Sequence, residues 1–373
     1  MIYFDNAATG GRKPDCVLDA VSSAVKVCAN AGRGGHKLAL SCAKLVQDCR
    51  NTLSDYFDGY GFERTIFTKN CTEALNIALF GVLQKGDHVI TTCMEHNSVL
   101  RPLEILKKRG VITYDVCPMT NDTIEAETIV KFLKPNTKLV AVTTSSNVNG
   151  ACPDLQTIKK ALPPHVLFLC DGAQGAGHIP LKIKRTGIDM LALAGHKGLF
   201  AIQGSGALLF SERVVLSPIL YGGTGSISVS LDMPDFYPDA LEAGTLAFPA
   251  VLSLLEGVRF LSLSEKEIRK KILYLTAYFI GGLKALPVYS IYSTPNACGI
   301  IALKHKRIDS EYLADILSEK YDIAVRGGLH CAPLMHQALR TEDSGLVRVS
   351  FSYFNSEKEV DTLLFALEEL AHL

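Results

Sequence analysis

The sequence has no tryptophan, and aromatic residues make up only 8% of its 373 residues. It also has no net charge at neutral pH, because 38 Lys and Arg residues balance 38 Asp and Glu residues. Without a basic surplus there is no field to attract a polyanion, so we expect neither nucleic acid nor an anionic membrane as a partner. No apolar run approaches the roughly 20 residues of a membrane-spanning helix, since runs such as 252–263 contain Ser, Glu and Arg.

Residues 1–6 do not have the basic region and apolar stretch of a secretory signal, and we therefore expect a cytoplasmic protein. The 11 cysteines are odd in number and include no Cys-x-x-Cys pair. This pattern favours reduced thiols over a disulfide framework and indicates no metal site. We interpret ten of them as small core residues and treat Cys331 separately.

Hydrophobic residues make up 48% of the chain, as in an ordinary globular protein. Two amphipathic helices are predicted at 15–29 and 39–57, and strands then alternate with helices. The predicted strands are 65–68, 88–92, 111–116, 138–144, 166–170, 190–194 and 206–210, with helices at 72–83, 99–109, 124–133 and 155–161. Such alternation predicts an α/β fold with a mainly parallel sheet and helices on both faces.

A stretch rich in Gly and Pro, residues 221–249, separates this block from a different pattern. The segments 249–263 and 265–286 have helical spacing, and shorter predicted elements follow at 297–303, 311–321, 347–352 and 357–370. We therefore predict an amino-terminal segment (1–14), a large domain (15–258) and a smaller α+β domain (259–373). Without a low-complexity linker, the two domains are expected to pack closely around a cleft.

Lys197 and Asp171 each follow a predicted strand of the sheet. Lys197 lies in Gly195-His196-Lys197-Gly198, and Asp171 begins Asp171-Gly172-Ala173-Gln174. A lysine in a turn is by itself more often a solvated residue. The carboxyl ends of parallel strands are where α/β sheets bind ligands, however. A strand-end Lys that forms a Schiff base and a strand-end Asp that keeps a pyridine nitrogen protonated are what pyridoxal phosphate chemistry requires.

Other polar groups are predicted at the same edge. The segment Lys69-Asn70-Cys71-Thr72 ends a strand and opens a helix, which suits a phosphate, although Thr72 could equally be a helix cap. His96 follows the next strand, and Ser145-Ser146-Asn147 follows another. A strand-end His is more often structural, but convergence of these groups on one edge favours a functional site.

Further motifs accompany these residues along the chain. In order, the set is Asp5-Asn6-Ala7-Ala8-Thr9, Glu95-His96, Ser146-Asn147, Asp171-Gly172-Ala173-Gln174, Gly195-His196-Lys197, Glu242-Ala243-Gly244-Thr245, Arg326-Gly327-Gly328-Leu329-His330-Cys331-Ala332-Pro333 and Arg348-Val349-Ser350-Phe351. The set resembles class V aminotransferase-like proteins and is similar to the cysteine desulfurases, in particular the group II or selenocysteine lyase-like branch. The resemblance covers essentially the whole chain. It implies fold type I of the pyridoxal phosphate-dependent enzymes, and it implies a homodimer.

The resemblance also implies roles for individual residues. Lys197 would form the Schiff base and move the substrate Cα proton, and Asp171 would pair with the pyridine nitrogen. Asn147 and Gln174 would approach the ring hydroxyl, and His96 would stack on the ring as an acid/base group. The other implied cofactor contacts are Cys71, Thr72, Ala173, His196 and, from the second subunit, Thr245. The implied substrate contacts are Arg348 as the carboxylate clamp, with Asn147, Arg326, His36 and Ala8.

Cys331 distinguishes between possible reactions. It lies in a Gly-Gly loop that ends in Ala-Pro, beside His330 and near Arg326, a setting expected to keep the thiol accessible and favour its thiolate. The resemblance implies that this thiolate attacks the sulfur of L-cysteine, so that alanine leaves and a persulfide remains on Cys331. A protein sulfur acceptor would then take the sulfur, for iron–sulfur cluster assembly or another pathway, and the short loop implies that the acceptor comes to the thiol.

Two alternatives remain open at this point. A selenocysteine lyase, or a cysteine lyase that releases sulfide, would differ only in what happens at Cys331. A cofactor-free scaffold for sulfur-transfer proteins is the third reading, motivated by two departures from the family pattern. Ala194 stands where many relatives have a phosphate-binding Ser, and the segment 200–204 has no Gly-Pro.

Overall fold

The computed structural model describes residues 1–27, 29–31 and 34–372. The strands are β1 (Ile2–Tyr3), β2 (Thr65–Thr68), β3 (Asp87–Thr92), β4 (Ile112–Cys117), β5 (Thr137–Thr143), β6 (Leu167–Asp171), β7 (Met190–Ala194), β8 (Gly206–Phe210), β9 (Tyr289–Ile291), β10 (Ile300–His305), β11 (Ile323–Ala324) and β12 (Val347–Ser350). The helices are α1 (Asp15–Lys26), α2 (Lys37–Tyr56), α3 (Cys71–Val82), α4 (Asn97–Lys108), α5 (Ala126–Val130), α6 (Leu155–Ala161), α7 (Ile183–Thr186), α8 (Phe248–Leu283), α9 (Ser310–Tyr321), α10 (Pro333–Leu339) and α11 (Glu357–Leu370).

The central sheet has seven strands in the order β2-β8-β7-β6-β5-β3-β4. The five strands β4, β3, β5, β6 and β7 lie side by side in this order, and each pairs in parallel with the next. Strand β8 runs antiparallel to both β7 and β2. Every residue of β6 and β7 is buried, because helices cover both faces, as is usual for parallel sheets. The carboxyl ends of the parallel strands therefore meet at one edge, as the sequence predicts.

A smaller antiparallel sheet has the order β12-β10-β9. Its core includes Phe279, Phe351 and, from the amino-terminal segment, Phe4. The segment is held there because β1 pairs in parallel with β11. The same path places Asp5 beside Ser350, at the end of β12. Residues from both ends of the chain thus reach the edge of the central sheet.

The structure confirms the exact bounds of five predicted elements. These are the strands 65–68, 190–194 and 206–210 and the helices 155–161 and 357–370. The helices predicted at 249–263 and 265–286 form one continuous helix, α8, which passes through the proposed domain boundary at 258/259; the division into domains stays a prediction. The element predicted at 297–303 is a strand that begins only at Ile300, because the preceding turn ends at Gly299 with a φ of +75°. The helix predicted at 15–29 ends at Lys26, and residue 28 lies outside the described residues.

The prediction that ten cysteines lie in the core is wrong for two of them. Cys16 and Cys152 are exposed, as is Cys331, whereas seven other described cysteines are buried. Cys28 lies outside the described residues. Within the described ranges, no helix combines the length and apolar character needed to cross a membrane.

Candidate active site

A cavity of about 490 Å³ lies at the carboxyl edge of the central sheet. Its walls come from the ends of β5, β6 and β7 and from the first turns of α3 and α4. The lining residues that the sequence analysis singled out are Cys71, Thr72, His96, Asn147, Asp171, Ala173, Gln174, His196 and Lys197. The structure therefore brings together residues that are widely separated along the chain.

Lys197 is held in a tight turn after β7. A Cβ atom on Gly198 would collide with the carbonyl oxygen of Ala176, so the turn depends on glycine at this position. The Lys197 carbonyl accepts a hydrogen bond from the amide of Phe200 at 3.0 Å. Removal from water, reinforced by the positive charge of Arg348, lowers the pKa of the Lys197 amine. A lysine with a lowered pKa has a larger share of the neutral, nucleophilic amine.

Asp171 ends β6 and is 3% exposed. Its Oδ1 accepts hydrogen bonds from the amide of Ala173 at 2.9 Å and from the thiol of Cys71 at 3.3 Å. These donors fix the carboxylate at the base of the cavity. An anion held in a nearly dry site is suited to keep a bound nitrogen heterocycle protonated.

A chain of three side chains connects the first turns of α3 and α4. The Thr72 and Ser98 hydroxyls lie 2.8 Å apart, and the Ser98 hydroxyl lies 2.8 Å from His96 Nδ1. His96 also caps α4, since its Nδ1 accepts the Ser98 amide at 3.0 Å. The proton of the neutral ring is therefore on Nε2. Burial is the main cause that lowers the pKa of His96.

Gln174 and His196 are both tied to the amino-terminal segment. Gln174 Nε2 donates to the carbonyl of Ala7 at 3.0 Å, and His196 Nδ1 lies 3.0 Å from the hydroxyl of Thr9. Burial, with the positive charge of Lys197, lowers the pKa of His196 to about 4, so the ring is neutral at physiological pH. The amino-terminal segment thus packs against the site.

Arg348 lies on β12, beside the cavity, and is 1% exposed. Its Nη1 donates to the carbonyl of Asn147 at 3.0 Å, and its Nη2 donates to Asp5 Oδ1 at 2.8 Å. Its Nε is buried and has no hydrogen-bond partner. Because an unpaired buried donor is costly, this Nε is suited to bind an anionic group of a ligand.

Asn147 also connects the cavity to the loop of Cys331. Its Nδ2 donates to the carbonyl of His330 at 2.6 Å, while its Oδ1 is buried without a partner. The amide of Asn97 donates to the carbonyl of Cys331 at 2.8 Å. Both His330 and Cys331 have left-handed backbone angles, with φ of 51° and 58°. Two hydrogen bonds therefore hold a strained turn at the rim, with Cys331 exposed.

His330 does not supply the positive charge expected beside Cys331. The imidazole is buried and its Nε2 lies 3.0 Å from the carbonyl of Leu346. Burial, reinforced by Arg348, lowers the pKa of His330 to about 2. Its ring is neutral, and it anchors the loop.

Besides Arg348 beside the cavity and Cys331 at its rim, four predicted residues are not among those that line it. Arg326 is next to it, since its amide donates to the carbonyl of Arg348 at 3.2 Å. Ala8 follows Ala7 in the amino-terminal segment. His36 is exposed and caps α2 through the amide of Ala39. Thr245 is exposed in a separate groove that includes Lys69 and Glu73.

Sequence reasoning missed three residues around the site. Ser98 connects Thr72 with His96, and Asp5 pairs with Arg348. Glu95 is 0% exposed; its Oε1 accepts from Thr143 and Thr92, and its Oε2 has no partner. Burial raises the pKa of Glu95 to about 8. Asp5 and Glu95 both lie in quoted motifs, so the signal was present without an assigned role.

The arrangement fits pyridoxal phosphate. A lysine with a lowered pKa and a buried aspartate face the same cavity, which also contains the first turn of α3, a suitable site for a phosphate. The unpaired Asn147 Oδ1 can accept a hydrogen bond from a bound group. Among the residues that the structure describes, no three His, Cys, Asp or Glu side chains are grouped to hold a metal ion.

Known proteins provide an independent comparison. The family model "Aminotransferase class-V" matches residues 2–363. A protein of Methanothermobacter thermautotrophicus named as a probable cysteine desulfurase is 31% identical, over 99% of this chain and 94% of its own length. The apo structure of a cysteine desulfurase from Thermococcus onnurineus superposes with a TM-score of 0.90 at 29% identity, covering 100% of this chain and 94% of that one.

The fold and site define a pyridoxal phosphate-dependent enzyme of fold type I. More specifically, this chain belongs to the class V aminotransferase family. The scaffold reading, which required a chain without cofactor chemistry, is not supported by these findings.

Proposed function

We propose that the protein is a cysteine desulfurase that converts L-cysteine to L-alanine and retains the sulfur as a persulfide on Cys331. Relatives and solved structures bearing the name cysteine desulfurase support the reaction class. The observation that carries the proposal is that Asn147 contacts both the cavity and the loop of Cys331. It lines the cavity of Lys197, and its Nδ2 donates to the carbonyl of His330, the residue before Cys331.

The substrate carboxylate would bind at Arg348. Its Nε has no partner, while Nη1 and Nη2 are held by Asn147 and Asp5. This leaves the guanidinium oriented before substrate arrives, which lowers the entropic cost of binding. The amino group of the substrate then extends towards Lys197 and its sulfur towards the rim where Cys331 is exposed.

The cofactor would be held by Lys197, Asp171, His196 and the first turn of α3, and when bound it supplies an electron sink for the substrate Cα carbanion. The lowered pKa of Lys197 suits it to remove the Cα proton and to return a proton later. Cys331 thiolate attacks the substrate sulfur, so an S–S bond forms as the C–S bond breaks. The balance is L-cysteine plus the Cys331 thiol giving L-alanine plus the Cys331 persulfide.

The proposal is tested by measuring alanine release from L-cysteine by the wild type and by Cys331→Ser. A desulfurase loses cysteine turnover in the variant and keeps the visible absorbance of its bound cofactor. If the variant, assayed with dithiothreitol as the reductant, still releases alanine and sulfide from L-cysteine, the protein is a lyase. If only L-selenocysteine is turned over, and the variant retains this activity, the selenocysteine lyase reading replaces ours.

The exposure of Cys331 supports transfer of its sulfur to an acceptor protein. Its turn is fixed by Asn147 and Asn97, so the thiol cannot travel far from the rim. The acceptor would therefore bring its own thiol to this rim, which is open to solvent at Cys331.

A homodimer is the second part of the proposal. Thr245 lies in a groove outside the cavity of its own chain. Nearby in sequence, Val229 and Leu231 are fully exposed, which is unusual for large apolar side chains that have no partner surface. A second copy would cover them and bring Thr245 to the other cavity. A chain that sediments as a monomer while fully active would contradict this.

A further inference from the structure

We propose that Cys152 and Cys298 form a redox-reactive dithiol, which a low-molecular-weight disulfide converts into an intrachain disulfide. This modification site is separate from Cys331. The Cys152–Cys298 disulfide can form whether or not the protein has the proposed desulfurase activity.

The two thiols already face each other. Their Sγ atoms are 3.9 Å apart, although the residues lie 146 positions apart in the sequence. A disulfide requires about 2.05 Å, so the sulfurs need to approach by roughly 2 Å. Rotation about the Cα–Cβ bonds supplies part of this movement, and small backbone shifts are open to both residues because neither lies in a regular helix or strand.

The backbones around the two thiols are also in close contact. A Cβ atom on Gly150 would lie 2.6 Å from Asn296 Oδ1, so these two segments already pack as closely as glycine allows. Asn296 fixes the turn before β10, since its Nδ2 donates to the carbonyl of Ile300 at 2.8 Å. The proximity of the thiols is therefore built into the packing of both segments.

The two cysteines have different environments, which assigns them different roles. Cys152 is exposed and lines a surface pocket with Lys182 and Arg185, whereas Cys298 is 4% exposed. The hydrogen bond from the Cys298 thiol lowers the pKa of Cys152 to about 7, and the same contact raises the pKa of Cys298. Cys93 provides a comparison: burial raises the pKa of its thiol, whereas the pKa of the Cys152 thiol is lowered. Cys152 is thus the attacking thiolate.

The reaction has two exchange steps, and the oxidant is a disulfide RSSR such as oxidised glutathione. Cys152 thiolate attacks one sulfur of RSSR, forming a mixed disulfide and releasing one RS⁻. Cys298 then loses its proton to solvent and attacks Cys152 Sγ, releasing the second RS⁻. Overall, two protein thiols are oxidised and RSSR is reduced to two RSH.

The cross-link would join two parts of the molecule that border the site. Cys152 follows the segment after β5 that contains Asn147, and Cys298 lines a small cavity together with Lys197 and Gln174. The disulfide would fasten the segment after β5 to the turn before β10. Slower backbone hydrogen exchange in residues 144–151 is therefore expected after oxidation.

The experiment uses the cofactor-loaded Cys331→Ser protein, so that the exposed thiol at the rim does not react. The protein is incubated with oxidised glutathione, alkylated in denaturant so that buried thiols also react, and digested without reduction. We expect a peptide linking Cys152 with Cys298, loss of alkylation at both, and a rise in the urea midpoint that dithiothreitol reverses. A Cys16→Ser control, which removes another exposed thiol, should give the same linked peptide.

Two further variants separate the steps. With Cys298→Ser, glutathione should remain attached to Cys152; with Cys152→Ser, Cys298 should remain fully alkylatable. The proposal is overturned if Cys298 is alkylated to the same extent before and after oxidation, or if Cys152→Ser still yields an oxidised Cys298.

Discussion

Arg348 Nη2 donates to Asp5 Oδ1 at 2.8 Å, joining β12 to the amino-terminal segment. The side chain of Arg348 is 1% exposed and that of Asp5 is 22% exposed. The pair leaves the Arg348 Nε without a partner, beside the cavity that contains Lys197. The first residues of the chain therefore orient the group that we expect to bind the substrate carboxylate.

Asp5→Asn should destabilise the protein, because it leaves the Arg348 charge buried without its counter-charge. Breaking a buried ion pair costs about 3–5 kcal/mol, and the partial exposure of Asp5 places this pair at or below the lower end of that range. Urea unfolding of the variant measures the loss. Asp19→Asn, which changes an exposed carboxylate on α1, should shift stability by less than about 0.5 kcal/mol. Equal shifts in both variants would contradict the role of the pair.

Arg348→Lys should weaken cysteine binding, because an ammonium cannot keep two hydrogen bonds to the protein and still offer a third, planar donor. We expect KM for L-cysteine to rise about 10- to 100-fold, corresponding to roughly 1.4–2.7 kcal/mol. Steady-state kinetics test this, with Arg101→Lys on the exposed face of α4 as the control. An unchanged KM would remove Arg348 from substrate binding.

The pair of Arg50 and Glu242 predicts a stability effect away from the cavity. The guanidinium donates to both carboxylate oxygens, at 2.7 and 2.6 Å, and the same carboxylate accepts the amide of Phe67. Arg50→Ala should therefore cost about 3–5 kcal/mol in unfolding free energy. Arg259→Ala removes an arginine from a more exposed pair with Glu256 and should cost less than about 1 kcal/mol. Calorimetry of both variants would show the difference, and comparable losses would be inconsistent with the buried geometry.

Much of the fold follows from the sequence, because β6 is a short apolar run that ends in Asp171 and β7 is a short apolar run that His196 and Lys197 follow closely. The meeting of Asp171 and Lys197 at one sheet edge follows from the parallel topology. The contact of Asp5 with Arg348 could not be predicted in this way, since it joins residues 343 positions apart through the pairing of β1 with β11. The neutral state of His330 also depends on burial, which its neighbours in the sequence do not reveal.

Glu95 should make stability depend on pH. Burial raises its folded pKa to about 8, whereas an unfolded Glu titrates at about 4.3. Between these values the folded state binds more protons, so stability falls as pH rises, by at most about 1.4 kcal/mol per pH unit. In the apoprotein, Glu95→Gln should remove this fall between about pH 5 and 8. Parallel profiles for the variant and the wild type, measured by urea unfolding, would show that Glu95 ionises normally.

The central claim concerns the sulfur that Cys331 receives. The most direct measurement is mass spectrometry of the protein after reaction with one equivalent of L-cysteine, without reductant. We predict one additional sulfur atom on the peptide that contains Cys331, an equal amount of alanine, and neither product from Cys331→Ser. Alanine formation with an unmodified Cys331 would contradict the account.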